Sequence, residues 1–148
     1  MTIAKQDLAR PRPRADGQMT GLAGELFVAA ELLKRQLQTS FTLGNAKAID
    51  VFAYNPATSK TFTIQVKALR KRNYFLIDPA AVQKLHTYVF VLLNEPDQPV
   101  EYFVVPGQEL VKHPEKFGRY FTDCRMPGIH PTVLIEQGYK DGWEVFLT

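Results

Sequence analysis

The chain has 148 residues, 45% of them hydrophobic and 22% charged, so it has the size of one domain and the apolar material for one core, which excludes wholesale disorder, collagen-like repeats and low-complexity sequence. Eighteen Lys and Arg against 15 Asp and Glu leave a net charge of +3, which suits an anionic partner without requiring one. The single cysteine, Cys124, excludes an internal disulfide and a cysteine-based zinc site and points to a reducing compartment, the cytoplasm.

Residues 1–19 carry Lys5, Arg10, Arg12 and Arg14 around Pro11 and Pro13 with few large apolar side chains. They are expected to form a flexible basic arm, either a frayed terminus or one that follows a phosphate backbone. They contain no apolar run of signal-peptide length, and no stretch of the chain approaches the roughly 18 apolar residues of a membrane span. Export and membrane insertion are therefore not expected, and 20–148 is expected to form a single domain. From Thr20, the residues Leu22, Leu26, Ala29, Leu33 and Leu37 recur at spacings of three and four, which predicts an amphipathic helix capped by Thr20 with that stripe buried. At about 100° per residue, Glu25 borders the stripe and Glu31 lies opposite, toward water. Gly21 and Gly24 would let this end of the helix approach a sheet closely.

A short run at 41–43 precedes two segments of period-two alternation, 48–54 and 61–68, separated by Asn, Pro, Thr and Ser turn chemistry. A hairpin follows from this, with Ile49, Val51 and Ala53 on one face of the first strand and Phe62, Ile64, Val66 and Ala68 on one face of the second. If Tyr54 pairs with Thr61, Asp50 falls across from Gln65, and slipping by one residue would turn an apolar face outward. The other face would then hold Asp50, Gln65 and Lys67, either as a site or as the solvent side of an exposed hairpin. Four of the six residues 67–72 are cationic: Lys67, Arg70, Lys71 and Arg72. Asp78 before Pro79 predicts a helix start, with the helix running to His86. The apolar run 88–93 predicts a strand covered on both sides. A turn at 95–99, a strand at 101–105 closed by Pro106, and a short helix at 108–112 follow. Segment 129–137 is compatible with helix or strand, and Trp143, Phe146 and Leu147 are expected to return to the core.

The chemistry narrows by residue type. His86, His113 and His130 lie far apart and form no i, i+4 zinc pair, so each is expected to be structural or on the surface. Cys124 has no nucleophile signature around it, and none of the nine glycines builds a phosphate loop or dinucleotide fingerprint. What remains is Glu25, Asp50, Gln65 and Lys67. Hard cations such as Mg²⁺ accept one or two carboxylates with carbonyls, waters and phosphate oxygens. Asp50, the Gln65 side-chain carbonyl and the backbone carbonyl of Val66 would supply such ligands, with an ammonium nearby to steady developing negative charge. The set suits phosphodiester hydrolysis.

The order of a helix with Glu25 in GELFVAAELL, Asp50 in AIDVFAY, and Gln65-Val66-Lys67 in TIQVKALRK, followed by a helix and an apolar strand, resembles the PD-(D/E)XK nuclease superfamily. In size and order it is similar to archaeal Holliday junction resolvases and to small homing endonucleases of that superfamily that carry glutamine in the third position. The resemblance covers about residues 21–106. It implies an α/β fold, a restriction-endonuclease-like three-layer core with a central mixed sheet flanked by helices. It matches Asp50 to the principal metal-binding aspartate, Lys67 to the catalytic lysine, and Glu25 to the first-helix acidic residue that supports the metal or its waters. Gln65 stands where an acidic residue is commoner, and Ile49 where a proline often precedes the aspartate.

The function so implied is a Mg²⁺- or Mn²⁺-dependent endonuclease acting on duplex or branched DNA. Arg70, Lys71, Arg72, Arg10, Arg12 and Arg14 would contact phosphates, and a homodimer or larger symmetric assembly would cut both strands. The alternative is a nuclease fold retained as a DNA-binding or protein-interaction module, with Gln65 marking lost catalysis. The leading reading requires Glu25, Asp50, Gln65 and Lys67 to gather in one oxygen-rich pocket.

Overall fold

The computed structural model describes residues 17–41 and 50–148. Arg10, Arg12 and Arg14 lie outside the described residues, as does the segment immediately before Asp50. The chain forms a mixed α/β structure around a five-stranded sheet of order β1-β2-β3-β5-β6, made of β1 (Gln38–Phe41), β2 (Val51–Asn55), β3 (Lys60–Leu69), β5 (Thr87–Leu92) and β6 (Glu101–Pro106). The β3–β5 pair is parallel and the other neighbours are antiparallel. The hairpin has the expected register: Tyr54 pairs with Thr61 and Val51 with Ile64. β3 is central because it is long: its first half pairs with β2 and its second half with β5.

Alternation along these strands makes two cores. Val51, Ala53, Ile64, Val89, Val91, Tyr102 and Val104 face one side, where α1 (Gly17–Lys34), Trp143 and Phe146 cover them. Tyr88, Phe90, Leu92, Phe103 and Val105 face the other, covered by residues 110–134 and by the small sheet of β4 (Phe75–Leu76) with β7 (Gly128–Ile129). All six residues of β5 are buried, as expected for the strand between the two layers.

Helix α1 differs from its sequence-based reading in extent and in rotation. It starts at Gly17 and stops at Lys34, so Thr20 is internal rather than a cap. Its buried residues are Gly24, Val28, Ala29 and Leu32, whereas Leu22, Leu26 and Leu33 are 40–55% exposed. Gly24 sets this rotation. A Cβ there would lie 2.6 Å from the Ala68 Cβ, so the helix comes down onto β3 along its smallest side chain. The larger leucines turn outward, beside exposed Met19 and Phe27. Glu31 is not free in water either: it pairs with Arg35 at 2.6 Å.

The helix expected from Asp78 to His86 is only a 3₁₀ turn, Pro79–Ala81. Asp78 caps it by accepting from the Ala80 N–H at 3.0 Å, but Val82 is extended. The Gln83 N–H donates to the Tyr88 hydroxyl at 2.8 Å, which removes it from any helical ladder. The segment 129–137 combines both readings, ending β7 and continuing into a short helix, Pro131–Glu136. Trp143 and Phe146 reach the core, while Leu147 is 46% exposed. No helix among the described residues is long and apolar enough to cross a membrane.

Candidate active site

The site begins where β2 and β3 part. Their ladder ends at Val51–Ile64, with one further bond from the Asp50 N–H to the Ile64 carbonyl at 3.1 Å. The next β3 donor on that edge, the Val66 N–H, donates to Asp50 Oδ2 at 2.7 Å. This charge-assisted bond fixes the Asp50 carboxylate against the middle of β3.

Glu25 approaches the same point from α1. Gly24, beside it, allows the close approach, and Glu25 is half-buried and hydrogen-bonded to Asp50. Burial, then the charge of Asp50, then that hydrogen bond push the Glu25 carboxyl from 4.5 up to about 7. A cation between the two carboxyl groups would relieve the repulsion that helps to raise Glu25.

Gln65 and Lys67 flank Val66, and alternation turns them to the face opposite α1. With Ile77, Asp78, Tyr88 and Met126 they line a cavity of about 330 Å³. Glu25 and Asp50 are not among its lining residues. The two carboxyl groups meet at the Val66 N–H, and Gln65 and Lys67 are the neighbours of Val66 on either side along β3. Among the described residues there is no group of three or more His, Cys, Asp and Glu placed to hold a metal. The acidic set is the Glu25–Asp50 pair, which fits a hard cation that needs only one or two carboxylates.

Sequence reasoning passed over His86. Its Nδ1 lies 2.9 Å from Gln65 Nε2. Spacing gave no signal, because His86 and Gln65 are brought together only by the parallel register that sets Gln65 beside Tyr88. The other histidines have local roles: His130 caps Pro131–Glu136 by accepting from the Thr132 N–H at 3.2 Å, and His113 lies 3.6 Å from Glu115.

The basic run after Lys67 is exposed but partly engaged. Arg70 donates to the Thr20 hydroxyl at 2.9 Å, and Arg72 pairs with Glu101 at 3.4 Å. Burial pushes Glu101 up, but hydrogen bonds from Asn94 and Lys140 and the charges of Lys140 and Arg72 bring it below its ordinary value.

With this geometry the chain superposes on a solved bacterial homing endonuclease, I-Ssp6803I, with a TM-score of 0.58, covering 90% of this chain and 94% of that one. The two chains share a fold. Sequence identity over the match is 13%, so the likeness is one of architecture. No protein-family model matches the chain, and no curated protein matches its sequence.

Proposed function

We propose that this chain is a DNA endonuclease that hydrolyses phosphodiester bonds with Mg²⁺ or Mn²⁺, at the rim of β3 between Asp50 and Lys67. The observation that carries this reading is the Asp50 carboxylate held on the Val66 N–H, between Gln65 and Lys67 in sequence, with Glu25 paired to it. Asp50, Glu25, the Gln65 amide oxygen and the Val66 carbonyl would hold the cation. When bound, it would neutralise charge on a phosphoryl oxygen and make a water more acidic. The chain's own groups do the rest. Asp50 is fixed by its backbone donor, Glu25 completes the acidic pair once its proton leaves to solvent, and Lys67 orients the attacking water and stabilises negative charge on the scissile phosphate. The cluster Arg70, Lys71 and Arg72, with Arg10, Arg12 and Arg14, would hold the flanking phosphates, positioning the duplex without reading its sequence.

Cutting both strands of a duplex needs two sites, so the working form is a homodimer or a larger symmetric assembly. The outward face of α1 supports this, because Met19, Leu22, Leu26, Phe27 and Leu33 leave an apolar surface on a helix whose other face is already packed.

The test is incubation with supercoiled plasmid and Mg²⁺ or Mn²⁺. The expected result is conversion to open-circular and linear forms, stopped by a chelator and by Asp50→Ala or Lys67→Ala in folded protein. Full activity in both variants rejects the assignment, and salt-sensitive binding without cleavage under any divalent ion favours the non-catalytic module.

A further inference from the structure

The amide at position 65 creates a problem that a carboxylate would not. A carboxylate offers two oxygens, either of which suits a cation. A glutamine offers one oxygen and one NH₂ group, and only the oxygen binds a cation while the NH₂ repels it. A site built on Gln65 therefore needs something to decide which end faces in.

We propose that His86 is the positioning residue that makes this decision, a role that rests on Gln65 being a metal ligand. The Gln65 Nε2 group only donates, so at 2.9 Å the His86 Nδ1 must accept, which requires the neutral ring with its proton on Nε2. The NH₂ end of Gln65 is then consumed by the imidazole and Oε1 is turned away from it.

The turn around His86 is built to keep the ring there. The His86 N–H donates to the Gln83 carbonyl at 3.1 Å, its carbonyl accepts from the Gly107 N–H at 2.7 Å, and the Gln83 N–H is held by the Tyr88 hydroxyl at 2.8 Å. Position 107 has no room for a side chain, since a Cβ would lie 2.6 Å from the His86 carbonyl oxygen and closer still to that of Gln83. The same hydrogen bonds keep 83–86 from continuing as a helix. What replaces the helix is a fixed turn that sets one imidazole against one amide.

The experiment is a double-mutant cycle read by Mn²⁺ binding to the full chain, measured calorimetrically without DNA, with folding of each variant checked by thermal melting. His86→Ala is expected to weaken Mn²⁺ binding about 10-fold, at the low end of the 10–100-fold cost of losing a group that orients a ligand. His86→Asn, whose side-chain oxygen replaces Nδ1 as an acceptor, is expected to recover most of that loss. In a Gln65→Glu background, where neither oxygen needs choosing, His86→Ala is expected to change affinity less than about 2-fold. Equal losses in both backgrounds, or none with Gln65 present, overturn the proposal.

A second readout needs no metal. The ¹⁵N spectrum of His86 in metal-free protein is expected to show Nε2 protonated and Nδ1 bare. A protonated Nδ1 in the neutral ring overturns the role of His86 and leaves the nuclease reading standing, whereas Mn²⁺ binding that Asp50→Ala does not weaken defeats both.

Discussion

The Asp50 carboxylate takes the place of a β-strand partner for Val66, accepting its backbone N–H at 2.7 Å where the β2–β3 ladder has ended. One consequence is that Glu25 must sit next to a carboxylate that cannot swing away. Burial, the Asp50 charge and the hydrogen bond between them raise Glu25 from 4.5 to about 7. In the metal-free protein, Glu25 binds its proton more tightly folded than unfolded, so its contribution to stability is full below pH 4.5 and is lost as pH rises toward about 7. Thermal melts across this window should show that loss in wild type and a flatter profile in Glu25→Gln. In Asp50→Asn, an NMR titration should find Glu25 lower than in wild type but still above 4.5, because burial is the largest cause of the shift.

Gly24 and Gly21 should respond oppositely to alanine. Helix propensity alone favours each substitution by about 1 kcal/mol. At Gly21 nothing lies within 4 Å of the new Cβ, so Gly21→Ala is expected to raise the melting temperature. At Gly24 the new Cβ would sit 2.6 Å from Ala68 and lift the helix that carries Glu25, so Gly24→Ala is expected to lower both melting temperature and cleavage rate.

The same glycine marks how far the sequence could be read. The hairpin register, the buried strand β5 and the pairing of Gln65 and Lys67 on one face follow from period-two alternation, which a fixed pleat enforces. The rotation of α1 did not follow, because hydrophobicity favoured the leucines while close approach favoured Gly24, and only the sheet beneath decides between them. The helix after Asp78 failed on a bond from the Gln83 N–H to the Tyr88 hydroxyl, a side-chain acceptor that hydrophobic periodicity does not reveal. At the site, the residue types were legible, and the contact of His86 with Gln65 was not.

Catalysis and DNA affinity should separate by residue. Lys67→Ala is expected to remove cleavage while leaving DNA binding nearly unchanged. Lys71→Ala, and Arg70→Ala once its Thr20 contact is set aside, should instead weaken binding at every sequence and reduce the salt dependence by about 0.9 in log–log slope per phosphate contact. Fluorescence anisotropy over a salt series, beside a plasmid assay, measures both.

The apolar outer face of α1 gives a test of assembly. Leu22→Glu with Leu26→Glu places charge on positions that are 40% and 45% exposed in the single chain, so the monomer should fold normally. Sedimentation is expected to show loss of the dimer, and plasmid assays to show nicked circles accumulating without linear product. An unchanged oligomer with unchanged linear product would exclude this face as the interface.

Anomalous diffraction from crystals soaked in Mn²⁺ locates the cation independently of turnover. A peak is expected about 2–2.5 Å from carboxylate oxygens of Asp50 and Glu25, with Gln65 Oε1 directed at it. A cleavage-competent protein whose Mn²⁺ binds away from Asp50, or in which Asp50→Ala leaves the peak in place, would contradict the proposed site.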